Sequence, residues 1–297
     1  MNNDSKQVGV IGLGAMGAPM ADQILRKHGQ VTVFDVVPAA VQKLVAAGAK
    51  AAVSPKEVGE SSDIVITMLP HPDVFRDVVL GKNGLAEGMR AGSILVDMST
   101  NGIAVIQEVE KELQPKGIKV MDAPVGKGPW AAEKGELTIL MGGDEAVCRE
   151  AEWVLGMVGS KLYHCGPLGA GQVVKLANNL ASCGNMAVLA EAYALAKAGG
   201  ANLDVLAEVM PMTSADSWQL RQTLNGKILK GDFSPMFKLK LANKDMRLIV
   251  EMAQTLGTPI QVGKGVLDWY ERGESKGHGE LDWGAILLVS NPELKAQ

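Results

Sequence analysis

The chain has 297 residues, 47% hydrophobic and 21% charged, with 29 basic against 33 acidic side chains and a formal net charge of −4. That is globular composition, long enough for roughly two domains, and it excludes a largely disordered chain. With no basic excess, nucleic acid and anionic membrane surfaces are not expected as partners.

No apolar run reaches the ~18 residues of a membrane span. The longest candidate, Val173 to Ala198, is broken by Lys175, Asn178, Asn179, Asn185 and Glu191. The short polar stretch Met1 to Gln7 and the glycine-studded run after it do not read as a secretory signal. Cys148, Cys165 and Cys183 are scattered, without a CxxC pair. They read as reduced thiols in a cytosol rather than a disulfide or zinc framework, so a cytoplasmic protein without a metal is expected.

In chain order, Val8 to Gly12 reads as a strand, Ala15 to Arg26 as a helix, Gln30 to Asp35 as a strand and Pro38 to Ala47 as a helix. Ile64–Met68, Ser93–Met98, Lys119–Asp122 and Leu137–Gly142 continue the β-rich series. Apolar strands separated by helical segments predict an α/β domain, a doubly wound parallel sheet of the Rossmann type. From Gly169 onward no strand pattern follows. Gly171–Ala198, Leu203–Met210, Met236–Leu256 and Leu281–Leu288 read as helices. The glycine-rich joint from Cys165 to Gly171 marks the expected boundary between an α/β domain (1–165) and an all-helical domain (166–297).

Gly12-Leu13-Gly14-Ala15-Met16-Gly17 matches GxGxxG, with a strand before it and a helix after it. In that context Gly12 permits the tight turn, Gly14 lets the backbone approach a pyrophosphate, and Gly17 allows close helix packing. Asp35 closes the next predicted strand, followed by Val36, Val37 and Pro38 rather than an arginine. A carboxylate there accepts ribose hydroxyls and repels a 2′-phosphate, which favours NAD over NADP. Met68, Leu69 and Pro70 follow one strand and Ser99 and Thr100 another, at the edge where such sheets bind ligands. Met68 to Pro70 are expected to wall the cofactor groove, Thr100 to lie near the nicotinamide and Ser99 near substrate.

On the long helix, Gly171, Lys175, Asn178 or Asn179, and Ser182 fall on one stripe. A lysine there can protonate a forming alkoxide or take a proton from an alcohol, and partial burial would bring its pKa towards working pH. Periodicity alone leaves open a solvated helix face with a snorkelling lysine.

Five ordered blocks carry a wider pattern: GLGAMG at Gly12 to Gly17, DMST at Asp97 to Thr100, DAPVGKG at Asp122 to Gly128, GAGQVVKLANN at Gly169 to Asn179, and Lys244-Asp245. The chain resembles the β-hydroxyacid dehydrogenase family along nearly its whole length. The resemblance implies a Rossmann domain joined to a helical substrate and dimerisation domain, a homodimer or homotetramer, and an active site in the cleft between the domains. It further implies Lys175 as catalytic acid/base, Asn178 and Asn179 beside substrate, and Lys244 at the nicotinamide end.

One block departs from the pattern. Where the family usually carries Ser-Gly-Gly after Pro-Val, this chain has Gly126-Lys127-Gly128, then Pro129-Trp130. The family's sulfolactaldehyde reductases are similar here in having glycine and a basic residue. An ammonium beside two glycine amides suits a strong anion such as a sulfonate. The expectation is therefore an NAD-linked oxidoreductase interconverting a small 3-hydroxy acid and its semialdehyde. Lys127, Gly126, Gly128, Asn178 and Ser182 would hold the acid group, and 3-sulfolactaldehyde leads the candidate substrates. The alternatives are 3-hydroxyisobutyrate, tartronate semialdehyde or succinate semialdehyde. A non-catalytic nucleotide sensor or an imine reductase on the same scaffold would be expected to lack Lys175.

Overall fold

The computed structural model describes residues 5–292. The strands are β1 (Val8–Ile11), β2 (Thr32–Phe34), β3 (Lys50–Ala51), β4 (Ile64–Thr67), β5 (Ile94–Asp97), β6 (Lys119–Asp122), β7 (Val125–Gly126), β8 (Leu137–Gly142) and β9 (Gly159–Gly166). Between them run α1 (Gly17–His28), α2 (Pro38–Ala46), α3 (Pro55–Glu60), α4 (Pro72–Leu80), α5 (Leu85–Gly88), α6 (Ile103–Leu113), α7 (Pro129–Lys134) and α8 (Glu145–Val158). The remaining helices are α9 (Ala170–Ala198), α10 (Leu203–Val209), α11 (Leu239–Thr255), α12 (Gln261–Gly273) and α13 (Leu287–Ser290), with short 3-10 and π turns among them.

The strands β1, β4 and β5 are buried at every position, as central strands covered on both faces must be. Their alternation sorts residues to opposite faces. Val8, Val10, Ile64, Ile66, Ile94 and Val96 join one core with Met20 and Ile24 of α1 and Val154 and Leu155 of α8. Ile11, Val65 and Leu95 join the other with Val58, Phe75, Val79, Val105 and Ile106 from α3, α4 and α6. A slip of one residue in any of these strands would exchange the two cores, so the register is strongly specified.

The sheet order is β3-β2-β1-β4-β5-β6-β8-β7, with β9 beside β8. From β3 to β6 every pairing is parallel. The parallel run ends at the far edge, where β8 runs antiparallel to β6 and β7. The link explains it. Six residues of α7 rise only ~9 Å, too little to carry the chain back to the start of a parallel strand. The strand order reverses between β1 and β4, and such switch points open a crevice at the carboxyl ends of the strands. The turn after β1 and the segment after β4 both start there.

The chain separates into two compact units between Lys175 and Leu176, inside α9. The opening turns of α9 belong to the first unit because Gly142 and Gly171 bring the helix onto the sheet. A Cβ on Gly142 would stand 2.7 Å from the Gly171 nitrogen. In the second unit Leu239, Ala242, Met246 and Ile249 of α11 recur at helical spacing and pack with Leu176, Met186 and Tyr193 of α9 and Val266 and Tyr270 of α12. Among the described residues no strand follows Gly166, and no helix is long and apolar enough to cross a membrane.

Candidate functional site

The chain leaves β1 at Ile11 and turns at Gly12, whose φ is +91°. A side chain there would be strained, and its Cβ would overlap the carbonyl oxygen of Met68. A Cβ on Gly17 would overlap the Gly12 carbonyl, so this glycine sets the close approach of α1 to the turn. Gly14 is different. A Cβ there would meet no atom within 4 Å, so packing does not require a glycine and the space beside the backbone is open. No side chain caps the N-terminus of α1, which leaves its positive dipole end available to an anion. Leu13 is buried, Met16 half-buried and Ala15 exposed beside that opening. An open cradle at Gly14 against an uncapped helix end fits the pyrophosphate of a dinucleotide.

Asp35 follows β2, and its carboxylate is tied to the turn. The Leu13 amide donates to Oδ2 at 2.6 Å and the Val37 amide to Oδ1 at 2.8 Å. Met68 and Leu69 are half-buried after β4, while Pro70 is exposed. Thr100 is half-buried after β5. Ser99 is held by its neighbours. It is 1% exposed, donates its hydroxyl to Asp97 Oδ1 at 2.7 Å and accepts from the Leu69 amide at 2.8 Å. Its hydroxyl thus ties the loop after β5 to the segment after β4.

That framework centres on two buried carboxylates. Asp97 accepts from the Thr67 hydroxyl at 2.8 Å and the Asn101 amide at 2.9 Å. Burial nonetheless pushes its pKa above the usual carboxylate range, against these hydrogen bonds. Asp122, at the end of β6, accepts from the Gly169 amide at 2.6 Å and the Gln172 amide at 2.8 Å. Burial raises its pKa to about 6 despite those two bonds, and the nearby Asp97 adds to the rise. Gln172 is wholly buried and clasps the loop after β5. Its Oε1 accepts from the amides of Asn101 and Gly102 at 3.1 and 3.2 Å, and its Nε2 donates to the Ser99 carbonyl at 2.9 Å. Asp97 and Asp122 stand inside recognised sequence blocks, yet nothing in a sequence distinguishes a carboxylate that holds backbone from one that faces a ligand.

A raised carboxyl pKa has a definite thermodynamic sign. Protonation is easier in the folded chain than in the unfolded one, so Asp122 contributes stability at low pH that is lost as pH rises through about 6. Asp122→Asn has no such dependence. Its cost in urea melts is expected to be greater at pH 4.5 than at pH 7.5, by roughly 2 kcal/mol. An equal cost at both pH values would overturn the assignment of a raised pKa.

The loop Gly126-Lys127-Gly128 joins β7 to α7. Cβ atoms on Gly126 and Gly128 would meet their neighbours no closer than 3.5 and 3.6 Å, so packing does not demand glycine at either position. Lys127 is exposed, with a left-handed φ of +71°. Its ammonium donates to the Glu136 carbonyl at 2.8 Å and stands 5.8 Å from the ring of Trp130. Trp130 is half exposed, with the Lys134 ammonium 5.9 Å from the same ring. These aromatic contacts sit at the ~6 Å limit of a cation–π interaction, so they hold the lysines only weakly.

On α9, Lys175 is half-buried and lies one turn beyond the clasped Gln172. In the second unit the structure separates Asn178 from Asn179. Asn179 is buried, donates to Asp245 Oδ2 at 2.7 Å and accepts from the Asn178 amide at 3.2 Å. Asn178 is exposed and Ser182 half-buried. The Lys244 ammonium stands 3.0 Å from Asp245 Oδ1. One carboxylate thus joins the twin asparagines to the Lys-Asp pair. Asp245 was not among the expected site residues, although its place beside Lys244 in a recognised block was the available signal.

Comparison with known proteins covers both units. A family profile described as the NAD binding domain of 6-phosphogluconate dehydrogenase matches residues 7–166. One described as the NAD-binding region of NADP-dependent 3-hydroxyisobutyrate dehydrogenase matches residues 169–290. The 3-sulfolactaldehyde reductase of Escherichia coli (strain K12) is 37% identical over 280 residues, covering 94% of each chain. The 2-(hydroxymethyl)glutarate dehydrogenase of Eubacterium barkeri is 36% identical over 285 residues, covering 96% of this chain and 95% of the relative. The crystal structure of a 3-hydroxyisobutyrate dehydrogenase from Salmonella typhimurium superposes with a TM-score of 0.84 at 30% identity, covering 96% of this chain and 100% of the other.

Proposed function

Because the chain belongs to the β-hydroxyacid dehydrogenase family, and is therefore an NAD(P)-dependent oxidoreductase of small hydroxy acids, we propose that it is a 3-sulfolactaldehyde reductase. Residues 126–128 carry the reading. Two glycines that packing does not require flank a lysine held in a left-handed conformation. Backbone amides and one fixed ammonium can together meet the three acceptor oxygens of a sulfonate, where a planar carboxylate offers two. With one donor on Glu136, the Lys127 ammonium retains two others. The 37% identity to a reductase of that name supports the same reading.

NADH, when bound, supplies the hydride. The open cradle at Gly14 would hold its pyrophosphate and Asp35 its adenosine ribose, with Met68, Leu69 and Pro70 as the apolar wall and Thr100 near the nicotinamide. Lys175 donates the proton that turns the reduced carbonyl oxygen into a hydroxyl. Asn178 and Ser182 would contact substrate, and Lys244, oriented by Asp245, would serve the cofactor. A homodimer or homotetramer is part of this reading, supported by apolar side chains that α9 and α12 expose, Val188, Leu195 and Val262. Sedimentation at micromolar concentration showing only monomer would remove it.

NADH oxidation with a panel of aldehydes tests the substrate. The expected order of kcat/KM is 3-sulfolactaldehyde above succinate, methylmalonate and tartronate semialdehydes, and with NADH above NADPH. Efficient reduction of the carboxylates with no turnover of sulfolactaldehyde would sink the substrate assignment and leave the family intact. Equal use of NADPH would remove Asp35 from cofactor selection.

A further inference from the structure

We infer that Asp122 is a positioning residue for the proton-transfer step: by capping α9 from the end of β6, it fixes the place of Lys175. The inference rests on the proposed role of Lys175 and extends it to a residue that need not touch substrate or cofactor.

A helix N-terminus leaves several backbone N–H groups without partners, and a nearby side chain usually supplies the missing acceptor. Here the acceptor comes from a distant strand. One carboxylate bridges the amides of Gly169 and Gln172, on either side of the first helical residue. The grip is tight because the helix is pressed onto the sheet. A Cβ on Gly171 would overlap the Leu140 carbonyl and stand 2.7 Å from Asp122 Oδ2. Gln172 extends the grip sideways to Ser99, Asn101 and Gly102, and Ser99 in turn receives the Leu69 amide. A continuous chain of hydrogen bonds therefore runs from the segment after β4 to the first turn of α9. Lys175 follows Gln172 by one turn, so its backbone inherits that placement.

Proton transfer is steeply sensitive to such placement, since a shift of about 1 Å can cost on the order of 100-fold in rate. Asp122→Asn keeps the shape of the side chain but turns one acceptor into a donor facing a backbone N–H. The start of α9 then has one buried amide without a partner and shifts to relieve it.

The experiment measures turnover, KM and NADH affinity for Asp122→Asn, Lys175→Ala and the double variant, using the best aldehyde of the panel above. Asp122→Asn is expected to lower turnover at saturating aldehyde by about 10-fold or more. The KM and the NADH dissociation constant should stay within about threefold, because the nucleotide turn is untouched. In the Lys175→Ala background the same change should cost less than about threefold, because the group being positioned is gone. Undiminished loss in the double variant would show that Asp122 acts otherwise than through Lys175 and overturns the inference, as does near-normal turnover in Asp122→Asn. If Asp122→Asn does not fold, Asp122→Glu, which keeps the carboxylate but displaces it from the Gly169 and Gln172 amides, is judged by the same limits. Near-normal turnover in Lys175→Ala defeats the proposed role of the lysine itself. A loss there with an unaffected Asp122→Asn defeats only the positioning inference.

Discussion

Lys175→Ala should lower turnover by about 100-fold or more while NADH affinity changes little. Hydride arriving at an aldehyde carbon leaves an alkoxide, which needs a proton at the moment it forms. An ammonium held in place supplies it without waiting for solvent. The cofactor contacts assigned to Gly12–Gly17 and Asp35 lie on other elements, and alanine is a good helix former, so α9 should persist. Turnover by stopped flow and NADH binding by fluorescence separate the two effects. Near-normal turnover in a folded variant would remove Lys175 from the mechanism.

For Lys127→Ala the expected loss falls on KM rather than kcat. Charge-assisted hydrogen bonds contribute about 1.5–3 kcal/mol each, so losing one from substrate should raise KM for 3-sulfolactaldehyde by roughly 10- to 150-fold. The exposure of Lys127 puts the outcome towards the lower end, because solvent screens an exposed charge. A neutral aldehyde of similar size should be hardly affected. Equal losses for the neutral and the sulfonated aldehyde would assign Lys127 to the shape of the loop instead of to charge recognition.

The parts legible in the sequence were those set by local pattern. The largely apolar runs at Val8, Ile64 and Ile94 identified strands of the sheet, and GxGxxG in its strand–helix context identified the turn after β1. Elements with little pattern of their own escaped. β3 has two residues, and β9 is a half-exposed edge strand with glycine at both ends. The helix α12 follows Thr258-Pro259 and was not among the expected helices. The antiparallel edge depends on how far α7 can reach, a question of length in space that hydrophobic periodicity does not record. The same limit applies in the site. Ser99, Asn179, Asp97 and Asp122 are polar residues in recognised blocks, and their roles separate only when burial and partners are known. The hydrogen bonds of Ser99 and Asn179 to the buried carboxylates Asp97 and Asp245 could not be read from the sequence.

The left-handed backbone at Lys127 bears on how this loop varies. Every L-residue with a Cβ is strained there by about 1 kcal/mol relative to glycine, whatever its side chain does. A lysine at this position is thus a stability defect, and a glycine would be the relaxed choice. Marginally stable chains lose such defects readily unless the side chain is needed for activity. Under the role proposed for Lys127, position 127 is a place where fold and selectivity compete, and drift towards glycine is the signature expected of a chain that no longer needs that charge.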